Sequence, residues 1–525
     1  MKSNMKRSLA TVSGMTMLSR ILGFVRQILM AGIIGAGGNP VADAFWAAFR
    51  LPNMFRRLFA EGAFHAAFIP MFQDRSVQSR EEAKAFAEEV LAGLIFILTG
   101  LTIIVELAAP VFVYMIACGF AVDQEKFELT TLFTRIMFPY LLCMSLVGLM
   151  SGVLNSFGKF IASSGAPLAL NICLITGVLL YARAPVEVTG MAAAWAVFVG
   201  GIIQLALLMY GMSRQNFTLR LKRPRLTPSM RRLLALGTPG FISAGALQIN
   251  LIVGTNIASQ EAGAVSWLMN ADALYQLPLA IIGIALANVL LPDLSRKVKE
   301  GREDEAISTL NRSIEFAALF CFPAAGAFLV MAVPICDALY RGLAGDALST
   351  FGIARSAFTV EDAVKTGSAL ALFGIGLPAF VLHKVFSPAF FAREDTKNPM
   401  NYAFVAIFLN IALSLALFPI LGFLSVAIAT SVSAWVQVVL LALHLRHKKY
   451  FQPDNRLFHR IVRILLASAA MGYVLHQSLV YLPTIASYVW GREWIATLAI
   501  AALGMIVYGL LALALRAYSL KDLKP

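Results

Sequence analysis

Residues 90–118 read VLAGLIFILTGLTIIVELAAPVFVYMIAC, an apolar run that is interrupted by one charge, Glu106. A helix that spans a bilayer needs about 20 consecutive apolar residues, so this run is long enough to cross a membrane. Similar runs recur along the 525 residues, of which 59% are hydrophobic and 14% are charged. Soluble globular proteins carry about 25% charged residues. The sequence therefore predicts an all-α polytopic membrane protein.

The apolar segments predict about fourteen transmembrane helices. Their predicted ranges are 8–35, 41–72, 84–116, 130–157, 161–183, 188–212, 229–259, 262–298, 305–332, 362–391, 399–418, 421–446, 458–480 and 493–516. An even number of spans places both termini on one side of the membrane. The Lys and Arg residues lie mainly in the connections that follow even-numbered helices, and short basic connections stay in the cytoplasm. We therefore expect both termini to be cytoplasmic.

The longest basic connection, residues 214–232, suggests how the chain is divided. It follows the sixth predicted helix and carries much of the net charge of +14. We expect an N-terminal lobe in 1–213 (helices 1–6), a basic cytoplasmic linker in 214–232, a C-terminal lobe in 233–450 (helices 7–12) and helices 13–14 in 451–525. The linker acts either as a topology anchor that contacts anionic lipids or as a dock for cytoplasmic partners. Because the basic residues lie in short connections, the charge does not indicate a nucleic-acid partner.

Helices 1 and 2 carry polar side chains that are costly at bilayer depth, where one charge costs about 2.5–3.5 kcal/mol on insertion scales. They are Ser19, Arg20, Arg26, Asp43, Arg50, Asn53, Arg56, Arg57, Glu61 and His65. A helical wheel places four of them near one stripe of helix 2: Asp43, Arg50, Arg57 and Glu61. Pro52 is expected to kink this helix.

Two interpretations of these polar faces stay open. In one, internal salt bridges fix the packing of the helices. In the other, the polar faces border a hydrated cationic cavity for an anionic ligand, because guanidinium groups bind phosphate oxygens in a bidentate way. Further site candidates lie in helices 8 and 10: Asp272 and Gln276, one turn apart, and Lys384, which follows His383.

The sequence contains no set of residues that indicates catalysis. There is no HExxH motif, no Gly-rich phosphate loop after a strand and no Ser/His/Asp arrangement on an outer loop. The five cysteines form no CxxC pair, so neither a zinc site nor a redox motif is indicated. We expect a transporter that is not an enzyme and needs no cofactor. Coupling to a monovalent ion or to the membrane potential is left open.

Three stretches carry a resemblance to a known family. Residues 15–70 contain MTMLSRILGFVRQ and then GAGGNPVADAFWAAFRLPNMFRRLFAEGAFHAAFIP; residues 384–399 read KVFSPAFFAREDTKNP; and helix 8 contains ALYQLPLAIIGIALANVLLPDLS. With these stretches the chain resembles the MurJ/MviN family of bacterial lipid II flippases. That family belongs to the multidrug/oligosaccharidyl-lipid/polysaccharide exporter superfamily.

The resemblance implies two six-helix lobes around a cationic cavity, plus two C-terminal helices that form an apolar groove for a polyprenyl tail. The family's functional positions that match this sequence are Ser19, Arg20, Arg26, Asp43 and Arg56. The motif therefore favours Arg56, whereas the wheel favours Arg57. Two positions depart from the family pattern: Gln27 stands where an acid is frequent, and Ala273 stands where an arginine is usual.

The resemblance implies that the protein flips lipid II from the inner to the outer leaflet of the bacterial cytoplasmic membrane by alternating access. Arg20, Arg26 and Arg56 would hold the diphosphate, and Asp43 would bridge to an arginine. The expected partners are lipid II, membrane lipids and envelope-synthesis proteins. The alternatives are an exporter of drugs or of another polyprenyl-linked glycan, and a scaffold for envelope enzymes that transports nothing; a membrane enzyme is disfavoured by the missing catalytic set.

Overall fold

The computed structural model of the chain describes residues 2–59, 63–353 and 356–518. In this described part the chain is helical and has no β-strand. The α-helices are α1 (Lys2–Ile34), α2 (Pro40–Phe59), α3 (Ala63–Gln78), α4 (Arg80–Leu107), α5 (Ala109–Ile116), α6 (Gln124–Met137), α7 (Tyr140–Ser156), α8 (Phe160–Leu180), α9 (Val186–Ser213), α10 (Pro228–Ala258), α11 (Ala264–Lys299), α12 (Glu303–Cys336), α13 (Ala344–Ser349), α14 (Val360–Phe391), α15 (Lys397–Leu421), α16 (Leu424–His447), α17 (Asn455–Val480), α18 (Leu482–Tyr488) and α19 (Glu493–Ala514). A 3-10 helix covers Cys118–Val122, and a π-helix covers Asp337–Leu343.

The predicted all-α membrane fold is confirmed, and every predicted segment contains helix. Two of the predicted segments are each divided into two helices near a proline. α5 begins at Ala109 with Pro110 in its first turn, and Pro139 caps α7. Proline lacks the backbone N–H that a helix interior needs and is tolerated in the first turn, so it favours a new helix start. The predicted second segment is covered by α2 and α3.

Eleven helical segments of the described residues are long and apolar enough to cross a membrane. They coincide with eleven of the predicted spans. The predicted spans 41–72, 229–259 and 262–298 are not among them. For the first of these the reason is clear, because α2 alone carries four charged side chains. The count of fourteen spans is compatible with this fold and stays a prediction.

The chain forms two compact units, Met1–Val265 and Ser266–Pro525. In the first unit α7 is buried along most of its length, and it packs against α4, α8 and α9. α10 belongs to this unit because it packs against α2, α3 and α5. The division between the units thus lies one helix beyond the basic linker. The predicted functional division into lobes of six helices stays a prediction.

The basic linker is fixed to the first unit by buried groups. The Glu88 carboxylate of α4 accepts a hydrogen bond from the Arg220 backbone N–H at 3.0 Å and forms an ion pair with Lys222 at 2.8 Å. The Phe217 ring is buried against Phe72 and Phe157. Residues 217–222 of the connection therefore pack against the first unit.

In the second unit α12 is the central helix, and it packs against α14 and α17. Gly367 of α14 allows the close approach to α12. A Cβ atom at Gly367 would lie 2.7 Å from the Cα of Val333 and 2.8 Å from the Val333 backbone nitrogen. Neither backbone atom can move aside without shifting the whole helix.

Replacing Gly367 by alanine is expected to lower the free energy of unfolding by about 1–3 kcal/mol, the usual cost of overpacking a close contact. Thermal unfolding of the purified protein in detergent measures this change. Gly326→Ala in α12 is the matched control, because its Cβ would meet only ordinary contacts at 3.6 Å and beyond. The control is expected to be neutral or slightly stabilising, since alanine favours helix over glycine. Equal stability of the two variants would contradict the assignment of this close approach.

Candidate functional site: a cationic cavity in the first unit

A buried amide on α8 organises the polar residues of α1. The Asn171 Nδ2 donates a hydrogen bond to the Ser19 carbonyl at 3.1 Å, and the Asn171 Oδ1 accepts one from Arg26 Nη1 at 3.1 Å. Arg26 forms no ion pair with any carboxylate of the described residues, and its buried Nε has no hydrogen-bond partner there. Asn171 therefore orients the Arg26 guanidinium without neutralising its charge.

Arg56 of α2 is half-buried, as is Arg26 of α1, so two positive charges lie partly inside the first unit. Like charges in a poorly solvated site repel, and the repulsion grows as the local dielectric constant falls. A bound anion would relieve it, because guanidinium groups form their strongest hydrogen bonds with phosphate and carboxylate oxygens. Guanidinium groups in these two positions can therefore donate to an anion that enters the site.

Arg56 also lines a cavity of about 260 Å³ inside the first unit. Its polar lining residues come from four helices: Arg56, His65, Ser151, Asn155, Ser163 and Ser164. The described lining includes no carboxylate. The His65 Nε2 lies 2.9 Å from the Gly148 carbonyl, and the Ser163 hydroxyl donates to Asn155 Oδ1 at 2.7 Å. The described lining therefore offers a guanidinium, an imidazole, hydroxyl groups and an amide to a bound molecule.

Arg20 and Arg57 are exposed on α1 and α2, and Asn53 is half-buried. A charged side chain that is exposed at bilayer depth needs water or a polar partner, because hydrocarbon does not solvate it. These two arginines therefore indicate a hydrated surface on the first unit. Arg57 lies on that surface, whereas its neighbour Arg56 lines the cavity.

Asp43 is fully buried and belongs to an ion pair that the sequence did not predict. The Asp43 Oδ2 lies 2.6 Å from the Lys126 Nζ and accepts a hydrogen bond from the Gly263 backbone N–H at 2.7 Å. Lys126 is itself buried, and its ammonium lies 4.2 Å from the centre of the Phe120 ring. Asp43 thus holds α2 to the start of α6 through Lys126 and to the turn after α10 through Gly263. The bridge from Asp43 to an arginine stays a prediction.

The described residues of the predicted stripe on α2 lie in different surroundings. Arg50 points to α10, where its Nη1 donates to the Leu251 carbonyl at 3.0 Å and to the Thr255 hydroxyl. Asp43 is buried and Arg57 is exposed, and Glu61 lies outside the described residues. Tertiary contacts, as well as the position on the wheel, decide where each polar group finds its partner, and the role of these residues as one polar face stays a prediction.

The candidates in the second unit make local contacts. Gln276 donates a hydrogen bond to the Asp272 carboxylate, as their spacing on one face of a helix suggests. Lys384 is exposed. Its side chain packs over Gly283 of α11, and a Cβ atom added to Gly283 would lie 2.9 Å from the Lys384 Cδ. His383 lies 3.3 Å from the Ser387 hydroxyl.

The residues at the end of the 384–399 motif stabilise the turn between α14 and α15. Arg393 forms an ion pair with Glu303 at 2.5 Å and stacks over Tyr450. The Asp395 carboxylate accepts hydrogen bonds from the Asn398 side chain at 2.7 Å and from the Asn398 backbone N–H at 3.1 Å. Partial burial acts to raise the pKa of Asp395, but these hydrogen bonds outweigh it and hold the pKa below its ordinary value. This part of the motif therefore has a structural role.

The sequence reasoning missed Asn171 and Lys126, although each leaves a faint signal. Asn171 is the one amide in the apolar run LALNICLITGVLL at 168–180, and a buried amide is costly unless it is hydrogen-bonded. Lys126 is the one basic residue in the segment DQEKFE at 123–128. Each signal marks a polar residue that must find a distant partner.

Comparison with known proteins identifies the family. The sequence profile of the family described as "Lipid II flippase MurJ" matches residues 30–503. A probable lipid II flippase MurJ from Rhizobium tropici is 44% identical over 469 residues, which are 89% of this chain and 85% of that protein. A lipid II flippase MurJ from Burkholderia cenocepacia is 33% identical over 90% of both chains.

Solved structures agree at the level of the fold. A lipid II flippase MurJ in an inward closed conformation superposes with a TM-score of 0.77 at 23% identity, covering 96% of this chain and 98% of that one. An inward-facing multidrug resistance MATE family transporter gives a TM-score of 0.65 at 14% identity, covering 84% and 97%. The match of the profile and the identity of these relatives together show that this chain belongs to the lipid II flippase MurJ family, whose members are multi-pass membrane transporters and not enzymes.

Proposed function

We propose that this protein moves lipid II from the inner to the outer leaflet of the bacterial cytoplasmic membrane by alternating access. The observation that carries the proposal is the Arg26 guanidinium, which is oriented by Asn171 and forms no ion pair within the described residues, together with Arg56 in the lining of the cavity. Family membership makes lipid II the ligand to test first, because its diphosphate is the kind of anion that guanidinium groups bind.

In the proposed bound state, Arg26 and Arg56 donate hydrogen bonds to the diphosphate oxygens. Asn171 keeps the Arg26 fork in position, so less side-chain freedom is lost when the anion binds. The cavity of about 260 Å³ is smaller than the roughly 300–1,000 Å³ of a typical ligand site. It therefore suits a diphosphate rather than the whole glycopeptide headgroup, which would lie on the hydrated surface that Arg20 and Arg57 indicate.

The remaining parts of the mechanism follow the topology predicted from the charges. Both termini are cytoplasmic, so that the basic connections lie inside. The polyprenyl tail stays in lipid, with α17 and α19 forming its groove. Lys384, Asp272 and Gln276 supply further headgroup contacts.

The membrane potential or a gradient of a monovalent ion drives the return step. Moving one elementary charge through the field is worth about 2.3 kcal/mol per 100 mV. The protein itself needs no cofactor for this step, because the energy comes from the field.

The test is an accessibility assay in proteoliposomes that contain labelled lipid II. An impermeant enzyme that cleaves exposed headgroups reports the fraction in the outer leaflet. Protein-containing vesicles are expected to expose the internal pool, whereas protein-free vesicles keep about half of the label protected. An exposed-arginine variant in the linker, Arg225→Ala, is the matched control for the preparation and should behave as the unmodified protein does.

The same vesicles separate the alternatives. A polyprenyl-linked glycan without a peptide replaces lipid II in a parallel series. Translocation of that glycan together with protection of lipid II would support the rival exporter. Protection of both lipids by a folded protein would support the scaffold and end the flippase proposal.

A further inference from the structure

A stripe of basic residues lies where α17 begins. Arg456, His459, Arg460 and Arg463 follow the i, i+3, i+4, i+7 spacing that places side chains on one face of a helix. Arg516, two residues beyond the end of α19, joins them. These residues line a shallow cavity of about 390 Å³ together with Asn455, and the described lining contains no carboxylate.

The protein neutralises only part of this charge. Arg460 and Arg456 lie 3.0 and 3.6 Å from the same carboxylate, that of the buried Glu315. Arg463 donates a hydrogen bond to the Arg516 carbonyl at 3.2 Å. Within the described ranges, neither Arg463 nor Arg516 forms an ion pair with an acidic side chain. Their guanidinium groups therefore keep donors that can bind an anion.

The surroundings of the stripe are those of a membrane interface. The exposed side chains beside it on α17 are apolar: Phe458, Val462, Leu465 and Leu466. Basic side chains next to exposed apolar ones, at the end of a spanning helix, are typical of the depth at which lipid headgroups meet their acyl chains. An anion that binds here can carry a hydrocarbon tail that covers these apolar groups.

A second cavity extends the site into the unit. It has a volume of about 490 Å³ and shares Arg456 and Arg460 with the first cavity. Its apolar walls include Leu290 and Phe316, and its charged walls include Asp293, Arg312 and Glu315. The anion therefore binds at the cationic mouth lined by Arg463 and Arg516 rather than in the deeper cavity, where the two carboxylates would repel it.

We propose that this basic end of α17 and α19 binds the phosphodiester of an anionic membrane phospholipid. Arg463 and Arg516 contact the phosphate oxygens, and the acyl chains lie along the exposed apolar side chains of α17. Glu315 already engages Arg456 and Arg460, so the remaining charge suits a monoanionic phosphodiester better than a diphosphate. The proposal needs only that α17 spans the membrane; it does not depend on what the protein transports.

The test compares lipid binding by the full-length protein and by the double variant Arg463→Gln/Arg516→Gln. Native mass spectrometry follows titration with phosphatidylglycerol and with phosphatidylcholine of the same acyl chains. The unmodified protein is expected to prefer phosphatidylglycerol. Removing two basic side chains is expected to weaken its binding by about thirtyfold, with little change for phosphatidylcholine.

The matched control is Arg223→Gln/Arg225→Gln, which removes the same charge from exposed linker positions. It should retain the preference for phosphatidylglycerol. An equal loss in both double variants would overturn the proposal, because the effect would then reflect overall charge. If inorganic phosphate displaced phosphatidylglycerol at a concentration equal to that of the lipid, the site would be assigned to a free ion instead. If lipid II displaces the phospholipid from the unmodified protein and no longer binds to the variant Arg463→Gln/Arg516→Gln, the site would be assigned to the diphosphate of lipid II.

A second measurement does not depend on the variants folding. The unmodified protein is reconstituted with a photoactivatable phosphatidylglycerol and digested after illumination. We expect crosslinks in peptides from residues 455–466 and 513–518. Crosslinks concentrated elsewhere would reject the site.

Discussion

Replacing Lys126 by methionine is expected to lower the free energy of unfolding by about 3–5 kcal/mol, the usual cost of breaking a buried ion pair by removing one partner. The Asp43 carboxylate is fully buried, and the Lys126 ammonium lies 2.6 Å from it. Methionine keeps the apolar stem that packs near Phe120 but removes the charge. Unfolding by heat or by SDS in mixed micelles, followed by circular dichroism, measures the loss.

The chain supplies a matched control for this prediction. Lys222 also pairs with a carboxylate of the same unit, at 2.8 Å from Glu88, but its side chain is 49% exposed. Water reaches its ammonium, and the Arg220 backbone N–H still donates to Glu88 when the ammonium is removed. Lys222→Met is therefore expected to cost less than Lys126→Met. The double variant Asp43→Asn/Lys126→Met removes both buried charges and should regain at least half of the stability that Lys126→Met loses. If Lys126→Met and Lys222→Met had the same free energy of unfolding, the buried Asp43–Lys126 pair would contribute no more to stability than the Glu88–Lys222 pair.

The membrane fold was predictable because its signal is local. An apolar run such as residues 90–118 needs no knowledge of its neighbours to be identified as a spanning helix. The breaks within the predicted segments were harder to predict from the sequence. Pro139 marks one of them, but proline also lies inside long helices of this chain, for example Pro378 in α14. Whether a proline ends a helix or is accommodated within it depends on the packing around it.

The partners of the polar residues were not predictable, because they are distant in the sequence. Asp43 and Lys126 are 83 residues apart, and Arg26 and Asn171 are 145 residues apart. A wheel describes one helix and contains no information on which neighbouring helix faces a given stripe. The family motif indicated Arg56 rather than Arg57, and the cavity beside Arg56 gives a physical reason for that choice.

Replacing Arg26 by alanine is expected to slow lipid II translocation by about 100-fold or more. A hydrogen bond to a charged group is worth about 1.5–3 kcal/mol, and a guanidinium fork makes two of them with a diphosphate. Each loss of about 1.4 kcal/mol costs a factor of ten in rate when the contact is made at the barrier. The proteoliposome accessibility assay measures the rate, and thermal unfolding shows whether the variant is folded.

Two further variants test separately what the charge of the Arg26 guanidinium and its orientation contribute to the rate. Arg26→Lys keeps a positive charge but cannot bind two oxygens in one plane, so its rate should lie between those of the unmodified protein and Arg26→Ala. Asn171→Ala leaves the guanidinium in place but removes its acceptor at 3.1 Å, and we expect a loss of about tenfold from the poorer positioning. Because Asn171 acts through Arg26, adding Asn171→Ala to Arg26→Ala should cost little more than Arg26→Ala alone. Full additivity of the two losses would place Asn171 in a separate role, and an unchanged rate in Arg26→Ala would remove Arg26 from the mechanism.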